Sequence, residues 1–468
     1  MANLLSTLLS SSNALNAYEQ VLAVTQNNVA NASTPGYAKQ TLPLEAMSFD
    51  LVSGAMGGVR AGQVLSARDQ YAEQAVRQQT SAQGNSQQSV NSLQSLQSLF
   101  DVSGSSGISA ALNQLFQSFS AWGQSPSDTN ARQSVIANAG ELAAAFQQTA
   151  SGLAGLEQDT GAQLQQTVTQ VNQLVGQLQQ LNVQRQGNVS SDPGTDAQMN
   201  SLLEQLSQYV SFTASYQADG SVAVLLNGQT PLLLENSQYS LAYQPGQGPP
   251  AAQILAADGA DATAASTGGQ LGALLQMRNQ TLPSYLGDPS QPGDLNTMAK
   301  QFADRVNQIL TSGVAADGTT PGAALFQYDT TNPANVAASL EVSPGVTPDQ
   351  LAATDPGPPS VSNGIPLALS QLATPQAAAD QIDGESFSSF YGAMAARAGS
   401  GFNDANGQLQ TDQASLAQAQ QLRQQTSGVS LDEEATTLIQ FQRAYEANSR
   451  LITVLDQLTL DTINILTT

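Results

Sequence analysis

Apolar residues recur every seven positions at both ends of the chain, and no other feature constrains the fold as strongly. The N-terminal repeat runs through Met1, Leu8, Leu15, Leu22 and Val29. The C-terminal repeat runs through Leu431, Leu438, Tyr445, Ile452, Thr459 and Leu466, with Phe441 and Leu455 between them. Seven residues is the period of a coiled coil, whereas the stripe of a lone surface helix repeats every 3.6 residues. We therefore predict two terminal helices that pair with each other.

Neither terminal helix is expected to be stable alone. Glu19 and Lys39 are the only charged residues among the first forty, and isolated helices have marginal stability in water. We expect both helices to be disordered in the isolated monomer and to become ordered on assembly. A buried helix of an ordinary globular domain is the alternative interpretation of the N-terminal pattern.

The start of the C-terminal helix is well marked. Ser430 and Glu433 have the spacing of an S-x-x-E capping box, and Asp432, Glu433 and Glu434 occupy the first turn. The helix dipole favours carboxylates at that position. Three adjacent carboxylates on a helix point in different directions, so we interpret them as helix-start residues and predict no metal or acid–base site.

Helical spacing of Leu, Val and Phe continues through the interior of the chain. It predicts helices over residues 63–100, 109–121, 128–181, 269–280, 295–310 and 385–425, which favours a long antiparallel bundle. Residues 331–380 hold 8 of the 20 prolines, a composition that excludes long helices. We expect an irregular linker or a reduced domain there.

The period changes to two near Tyr209, which predicts strands. Apolar side chains alternate at Val210, Phe212, Ala214 and Tyr216, and again at Val222, Val224 and Leu226. Asn227-Gly228 predicts a type I′ hairpin turn directly afterwards. Asp258, Gly259 and Asp261 resemble a fragment of a calcium loop, but a single copy favours an ordinary loop.

The predicted fold class is mainly α with a small β domain (α+β). We divide the chain into a terminal coiled-coil domain (1–45 and 428–468), a helical bundle domain (46–207 and 270–427, including 331–380) and a small β domain (208–269). The β-rich insertion lies in the middle of the chain, so the two ends are expected at one pole and the middle at the other.

Composition excludes several kinds of function. The 468 residues include no Cys and no His, and Lys occurs only at Lys39 and Lys300. Cys/His metal sites, disulfides and catalytic sites built on His or Cys are therefore excluded, and we predict no cofactor and no enzymatic activity. A net charge of −23 argues against nucleic-acid binding. The absence of an apolar run of ~18 residues argues against a membrane span.

Charged residues make up only 10 % of the chain, so its surface polarity comes mainly from Gln, Ser and Asn. Neutral polar surfaces carry little repulsion between like copies and suit a protein that packs against itself. Adaptation to the environment, such as a cell surface at acid pH, is the alternative explanation of this composition.

The stretch Asn27–Tyr37, NNVANASTPGY, closely resembles the N-terminal signature of the flagellar axial proteins, which are rod, hook and hook-associated proteins. Within it, Pro35-Gly36 fits a type II turn. Residues 427–434, SGVSLDEE, and 438–448, LIQFQRAYEAN, are similar to the C-terminal signature of the same proteins. The helical region after Asp128, together with segments 268–278 and 296–309, resembles the FlgK family of hook–filament junction proteins. The resemblance fails in 331–380, where longer members carry an outer β-domain.

The resemblance implies an assembly interface in both signatures. In the N-terminal part it would include Leu8, Leu15, Leu22, Asn28, Val29, Ala30, Asn31, Thr34, Pro35, Gly36 and Tyr37. In the C-terminal helix, which an export chaperone would also bind, it would include Leu431, Asp432, Glu433, Glu434, Leu438, Phe441, Gln442, Tyr445, Ala447, Asn448, Ile452 and Leu455.

The resemblance also implies a structural subunit of the flagellum. Such a subunit forms a homo-oligomeric ring between hook and filament, in contact with the hook protein and with a second hook–filament junction protein. It is exported unfolded through the flagellar type III export apparatus with a cytosolic export chaperone, and its location is extracellular. Residues 1–12 lack the basic region and cleavage site of a secretory signal peptide, which agrees with that route.

Two other interpretations remain at the level of sequence. A hook or distal-rod subunit would share the terminal signatures, but hook proteins are rich in strands in the middle. A secreted adhesin or a filament-degrading enzyme is a different class. Enzymatic function would require a convergent pocket with perturbed carboxylates, and the sequence shows no spaced carboxylate pair above background.

Overall fold

A computed structural model describes residues 2–50, 55–101, 104–187, 192–217, 219–246, 251–315 and 317–467. Met1, the first position of the N-terminal repeat, lies outside these ranges. The described chain is mainly helical with several small antiparallel sheets, which confirms the predicted α+β class.

Helices account for most of the described chain. In chain order they are α1 (Ala2–Asn31), α2 (Gln70–Gln97), α3 (Gly107–Gln124), α4 (Thr129–Gly187), α5 (Pro193–Tyr209), α6 (Gly269–Gln276), α7 (Leu282–Leu286), α8 (Asp294–Ser312), α9 (Val336–Ser339), α10 (Gly364–Gln371), α11 (Phe387–Ser427) and α12 (Leu431–Thr467). A π-helical turn, Met277–Thr281, joins α6 to α7.

The strands are short. They are β1 (Gln40–Thr41), β2 (Leu44–Ala46), β3 (Phe49–Asp50), β4 (Ala55–Met56), β5 (Val59–Ala61), β6 (Leu65–Ser66), β7 (Phe212–Tyr216), β8 (Val222–Leu226), β9 (Thr230–Leu234), β10 (Ser237–Gln238), β11 (Ala242–Gln244), β12 (Gln253–Leu255), β13 (Gly287–Asp288), β14 (Gln291–Pro292), β15 (Phe326–Gln327) and β16 (Glu341–Val342).

Polar caps set where three of the main helices begin. The side chains of Asp69, Asp192 and Ser386 accept hydrogen bonds from backbone N–H groups in the first turns of α2, α5 and α11. These groups have no partner within the helix, so a short polar side chain at this position stabilises the helix start. Pro193 follows Asp192 at the first helical position, where its fixed φ is favourable.

Helix α4 connects two hydrophobic cores. Its 59 residues extend for about 88 Å at 1.5 Å per residue. The first half, from Val135 to Leu153, packs in a cluster with α3, α8 and the start of α11, and this cluster contains the fully buried Trp122 and Phe302. The second half, from Leu164 to Leu181, packs in a separate cluster with α5, α6 and the strands β7–β9. One continuous helix therefore packs in both hydrophobic cores of the bundle.

The predicted hairpin region forms a four-stranded antiparallel meander, β7-β8-β9-β10. Strand β7 pairs with β8 over Phe212–Tyr216 and Val222–Leu226. Asn227 and Gly228 both have positive φ, 47° and 72°, as a type I′ turn requires. Buried strand residues such as Val224 share a cluster with Leu178 of α4, so these strands pack on the bundle's helices.

Segment 331–380 contains short helices that are folded into the first core. Helices α9 and α10 are 4 and 8 residues long. Leu340, Leu351 and Leu369 are fully buried beside α3, α4 and α8. The proline-rich composition limits helix length, as expected, without preventing packing.

Residues 40–66 differ from the sequence interpretation, which placed most of them in the helical bundle and began a helix at residue 63. The described residues of this segment, 40–50 and 55–66, form three two-stranded ladders, β1–β6, β2–β5 and β3–β4, and α2 begins at Gln70. Pairing between strands of two or three residues leaves no periodic sequence signal. These strands lie against α1, and this contact decides which face of α1 is buried.

Among the described residues, no helix combines the length and the apolar composition needed to cross a bilayer.

Candidate assembly interface

The two ends of the chain lie against each other as antiparallel helices. The Asn28 amide donates to Glu434 Oε2 at 3.0 Å, and the rings of Tyr18 and Phe441 pack at a centroid distance of 5.8 Å. Further along, the Asn448 amide donates to the carbonyl of Ser11 at 2.7 Å. These contacts join residues more than four hundred positions apart and define one helix pair, α1–α12.

The buried line of α1 is not the predicted seven-residue line of leucines. Among the side chains that the structure describes on this helix, residues 6–31, the buried ones are Ser11, Ala14, Ala17, Val21, Thr25 and Asn28. Leu8, Leu15 and Leu22 are only half-buried, and Val29 is exposed. The seam is therefore rotated around the helix from the predicted position.

The rotation follows from the strands that the sequence did not predict. Helix α1 packs against α12 on one side and against β1, β4 and β5 on another. Ser10 on α1 donates to the carbonyl of Gly57 at 3.1 Å in this contact. Residues of α1 that lie between α12 and the strands are covered by both. Their small side chains allow α12 and the strands to approach α1 closely. The leucines flank the contact with α12.

Asn28 is hydrogen-bonded through both ends of its carboxamide at the end of α1. Its amide nitrogen donates to the Gln40 carbonyl at 2.8 Å and to Glu434. Its oxygen accepts from the Gln40 N–H at 2.9 Å and lies 2.9 Å from the Tyr37 hydroxyl. The Tyr37 hydroxyl is equally close to the Asn27 side-chain oxygen, at 2.9 Å. A buried carboxamide that is bonded at both ends is costly to replace. One side chain thus connects α1, the following turn and α12.

The acidic first turn of α12 binds Lys39. Lys39 Nζ lies 2.9 Å from Glu433 and 3.2 Å from Glu434. The hydrogen bond to Glu433 raises the pKa of Lys39, and Glu434 adds to this effect. Burial, followed by the Glu434 charge, raises the pKa of the Tyr37 hydroxyl. The Glu433 N–H donates to Ser430 Oγ at 3.5 Å, which is long for the serine hydrogen bond of a capping box. The Glu433 side chain is directed to Lys39.

The turn after α1 docks on α5. The Tyr37 N–H donates to the Thr34 carbonyl at 3.1 Å, and Gly36 has a φ of +74°, which confirms the predicted type II turn at Pro35-Gly36. A Cβ on Gly36 would lie 2.3 Å from the Ala197 carbonyl oxygen of α5. Both the backbone conformation and the close approach therefore require glycine.

Replacing Gly36 by Ala is expected to weaken this docking. A non-glycine residue at positive φ costs roughly 1–3 kcal/mol, and the overlap with Ala197 adds to that cost. Lys39 adjoins the turn and is one of two lysines, so cleavage by a lysine-specific endoproteinase after Lys39 reports undocking. Cleavage should accelerate by roughly 5- to 150-fold, because it follows the population of the open form.

Gly259→Ala is the matched control for this measurement. Gly259 has a φ of +84°, and a Cβ added there would have no other atom within 4 Å, so this change carries the backbone strain without the overlap. We expect no change in cleavage after Lys39 in Gly259→Ala. Equal cleavage rates in the parent and Gly36→Ala chains would contradict the docking of this turn.

The predicted interface residues differ widely in exposure. Asn28 and Glu434 are buried. The half-buried set is Leu8, Leu15, Leu22, Asn31, Gly36, Tyr37, Leu438, Phe441, Asn448, Ile452 and Leu455. The exposed set is Val29, Ala30, Thr34, Pro35, Leu431, Asp432, Glu433, Gln442, Tyr445 and Ala447.

Helix α12 carries a second apolar line, which we name the outer seam and define as Ala447, Leu451, Val454 and Leu458. All four are exposed, Val454 to 56 %. Their spacing of four, three and four residues is again the coiled-coil period. At about 100° per residue they fall within an arc of roughly 60°, apart from the residues that face α1.

Sequence reasoning missed several residues of this region. Arg68 bonds to the Gly36 carbonyl, and the Ser427 carbonyl accepts from the Lys39 N–H, across the junction between the terminal pair and the bundle. Lys39 and Gln40 also bond to Glu433 and Asn28 within the terminal part of the chain. The rarity of lysine was the one available signal, since a lone cation in a neutral segment implies a specific partner.

Asp258 and Asp261 accept from the backbone N–H groups of Ala260 and Thr263, so they close turns. In the part of the chain that the structure describes, no three acidic groups lie close enough together to hold a metal ion.

Comparison with known proteins decides the family. The model of the flagellar hook-associated protein FlgK helical domain matches residues 93–326, which is half of the chain. The chain belongs to the FlgK family of flagellar hook-associated proteins. The terminal signatures match two further models, a flagella basal body rod protein over residues 8–37 and the C-terminal part of the flagellar basal body rod FlgEFG proteins over residues 420–465.

Individual relatives agree with this assignment. Flagellar hook-associated protein 1 of Bacillus subtilis (strain 168) is 28 % identical over 96 % of both chains. The Salmonella typhimurium protein of the same name is 26 % identical over 65 % of this chain and 56 % of its own length. The structure of the flagellar hook junction protein FlgK from Burkholderia pseudomallei has the same fold, with a TM-score of 0.64 at 17 % identity over 75 % of this chain and 99 % of that one.

Membership of the FlgK family makes this chain a structural component of the flagellum, associated with other proteins of the hook and filament. The match in the middle of the chain separates it from rod and hook subunits, which share the terminal signatures.

Proposed function

We propose that this FlgK-family chain forms the ring between hook and filament by self-assembly of its terminal helices. The observation that carries the proposal is the location of exposed apolar side chains. Of the nineteen large apolar residues that are exposed in the described chain, ten lie on α1 and α12. Exposed apolar surface of this extent indicates an interaction site.

The outer seam supports a coiled-coil contact between subunits. A helix with two apolar lines at the seven-residue period can pair with two partners, and α1 occupies the first line. Leu8, Leu15 and Leu22 on α1 are half-buried with the same period and supply a matching surface on a second copy. Each Leu or Val that becomes buried contributes up to about 1.5–3 kcal/mol.

Order on assembly is part of the proposal. Neither of the two hydrophobic clusters of the bundle includes a described residue of α1 or α12, so the terminal pair depends on its own narrow seam. Small buried residues such as Ala14 and Ala17 contribute little apolar area. Docking of the pair on its neighbours would supply the missing burial.

The remaining partners are proposed from the family. They are the hook protein, a second hook–filament junction protein, the flagellar type III export apparatus and an export chaperone that covers the apolar α12 before assembly. A chain with no Cys cannot form disulfides that would obstruct export. The proposed location is extracellular, and the proposed role is non-enzymatic, without nucleic-acid or membrane partners.

A chain that ends at Thr437 tests the proposal. It lacks the outer seam and the part of α12 that contacts Tyr18 and Ser11 of α1, so we expect no ring in electron micrographs and no binding of the chaperone in pull-down or calorimetry. Thermal unfolding of the bundle should be unchanged, because both hydrophobic clusters are retained. Ring formation by the shortened chain would overturn the proposal.

A further inference from the structure

Arg68 joins three separate segments where the terminal pair meets the bundle. Its guanidinium donates to Glu73 of α2, to Asp196 of α5 at 2.8 Å and to the carbonyl of Gly36 at 2.7 Å. The Arg68 side chain is only 5 % exposed. Gly36 belongs to the turn after α1. This one side chain therefore bonds the terminal unit, by which we mean α1, β1–β6 and α12, to two helices of the bundle.

Two more arginines pair with carboxylates beside Arg68. Arg423 of α11 lies 2.6 Å from Glu204 of α5 and 3.3 Å from Glu73. Arg185 of α4 lies 3.5 Å from Asp196. The cluster therefore sets three arginines against three carboxylates and connects α2, α4, α5 and α11. The whole chain has only 13 Lys and Arg residues, so three at one junction is a marked concentration.

The chain passes between the terminal unit and the bundle twice, once after β6 and again after α11. Ser427 forms hydrogen bonds that join these two crossings. The Ser427 hydroxyl accepts from the Asp69 N–H at 3.0 Å, and the Ser427 carbonyl accepts from the Lys39 N–H at 2.9 Å. Both crossings thus meet beside Arg68.

A cleft lies beside this junction. Its volume is about 700 Å³, and it lies between the turn at Thr34 and Pro35 and the helices α4 and α5. Gln177, Gln184 and Gln205 line the side formed by the helices. The terminal unit therefore has open space on one side of its attachment, so its orientation depends on the bonds at the junction.

We propose that Arg68 is a positioning residue that fixes the orientation of the α1–α12 pair on the bundle. The planar guanidinium donates in fixed directions, and its three acceptors lie on three segments. A lysine at this position has one compact ammonium and cannot maintain the same geometry. Because the group is buried, loss of one partner leaves the other charges uncompensated.

The orientation matters for assembly, and this step rests on the proposed function. Subunits joined head to tail close into a ring only if the rotation between neighbours is constant. A terminal pair that varies in angle would give rings of variable size or open assemblies. Arg68 would then determine ring closure without contacting the neighbouring subunit.

The test compares Arg68→Met and Arg68→Lys with Arg60→Met in the full chain. Arg60 pairs with Glu45 and is 68 % exposed, so it supplies the same chemical change outside the cluster. Hydrogen exchange of the Lys39 and Asp69 amides reports the bonds to Ser427, and lysine-specific cleavage after Lys39 reports the same junction. We expect both rates to rise at least tenfold in the two Arg68 variants and to stay within twofold of the parent in Arg60→Met.

Electron microscopy then separates positioning from stability. Arg68 variants whose bundle unfolds at the parent temperature should form irregular or open assemblies, whereas Arg60→Met should form rings of the parent size. Parent-like exchange, cleavage and ring size in Arg68→Met would overturn the inference, as would full rescue by Arg68→Lys. If the parent chain itself forms no ring, the proposed function fails, while exchange and cleavage still decide the role of Arg68.

Asp196→Asn covers the outcome in which Arg68→Met does not fold. This change removes one charge from the cluster and keeps the side-chain shape. We expect faster exchange at Lys39 and Asp69 by at least threefold. Parent-like protection of both amides in a folded Asp196→Asn chain would show that the cluster does not hold the junction.

Discussion

Replacing Leu451, Val454 and Leu458 together by serine is expected to abolish self-association while the monomer remains folded. The three side chains are exposed in the single chain and lie outside both hydrophobic clusters of the bundle, so their removal costs the monomer little. In a coiled-coil contact they would be buried, and their loss would remove roughly 4 kcal/mol or more of association energy. That corresponds to a decrease of about 10³-fold in affinity. Sedimentation velocity and electron microscopy measure the effect.

The matched control replaces Arg443, Glu446 and Arg450 by serine on the same helix. These residues are also exposed, and they repeat the three-and-four spacing on the adjoining face of the helix, centred about 80° from the outer seam. We expect association close to that of the parent chain. If the control triple loses assembly as completely as the outer-seam triple, the contact does not depend on the outer seam, and α12 contributes through charge or helicity instead.

Phe302→Ala is expected to give the largest loss of stability. Phe302 is fully buried, and its ring makes edge contacts with Phe116, Phe326 and Phe387 at centroid distances of 6.1, 6.0 and 5.1 Å. Removing a buried Phe costs about 3–5 kcal/mol, because the transfer energy is lost and a cavity remains. The four rings come from α3, α8, β15 and α11, so the cavity would weaken the packing among four elements of the first core.

Denaturant unfolding followed through Trp122 fluorescence measures this change, since Trp122 belongs to the same cluster. Phe49→Ala is the control, because Phe49 is 68 % exposed and its loss should cost less than about 0.5 kcal/mol, as for surface substitutions in general. Equal losses for the two variants would contradict the central position of Phe302.

The long helices could be predicted from the sequence because each has its own periodic apolar pattern. The pattern over 128–181 predicts α4, which extends from Thr129 to Gly187, and the pattern over 295–310 predicts α8, which extends from Asp294 to Ser312. The hairpin at Asn227-Gly228 was equally clear, because its backbone conformation requires those residue types. The ladders of residues 40–66 could not be predicted, since strands this short show no periodic pattern.

The candidate site also contains features that could be predicted from the sequence and others that could not. The Pro35-Gly36 turn and the acidic start of α12 are local features, and both are legible in the sequence. The bonds of Arg68 to Glu73, Asp196 and Gly36 span up to 128 positions, and no local pattern relates these residues. Lys39 was visible as a rare cation, but its partner Glu433 lies 394 positions away.

The sequence by itself determined that the two ends of this chain are helices with coiled-coil spacing and that they carry the signatures of flagellar axial proteins. Periodicity is a property of a single segment, so it identifies a helix and its apolar side. The tertiary structure decided which line on that side is buried. Short strands cover α1 next to α12, so the small residues from Ser11 to Asn28 form the seam, the leucines flank it, and the outer seam of α12 stays exposed. Burial depends on every neighbour of a helix, and those neighbours are brought together only when the whole chain folds.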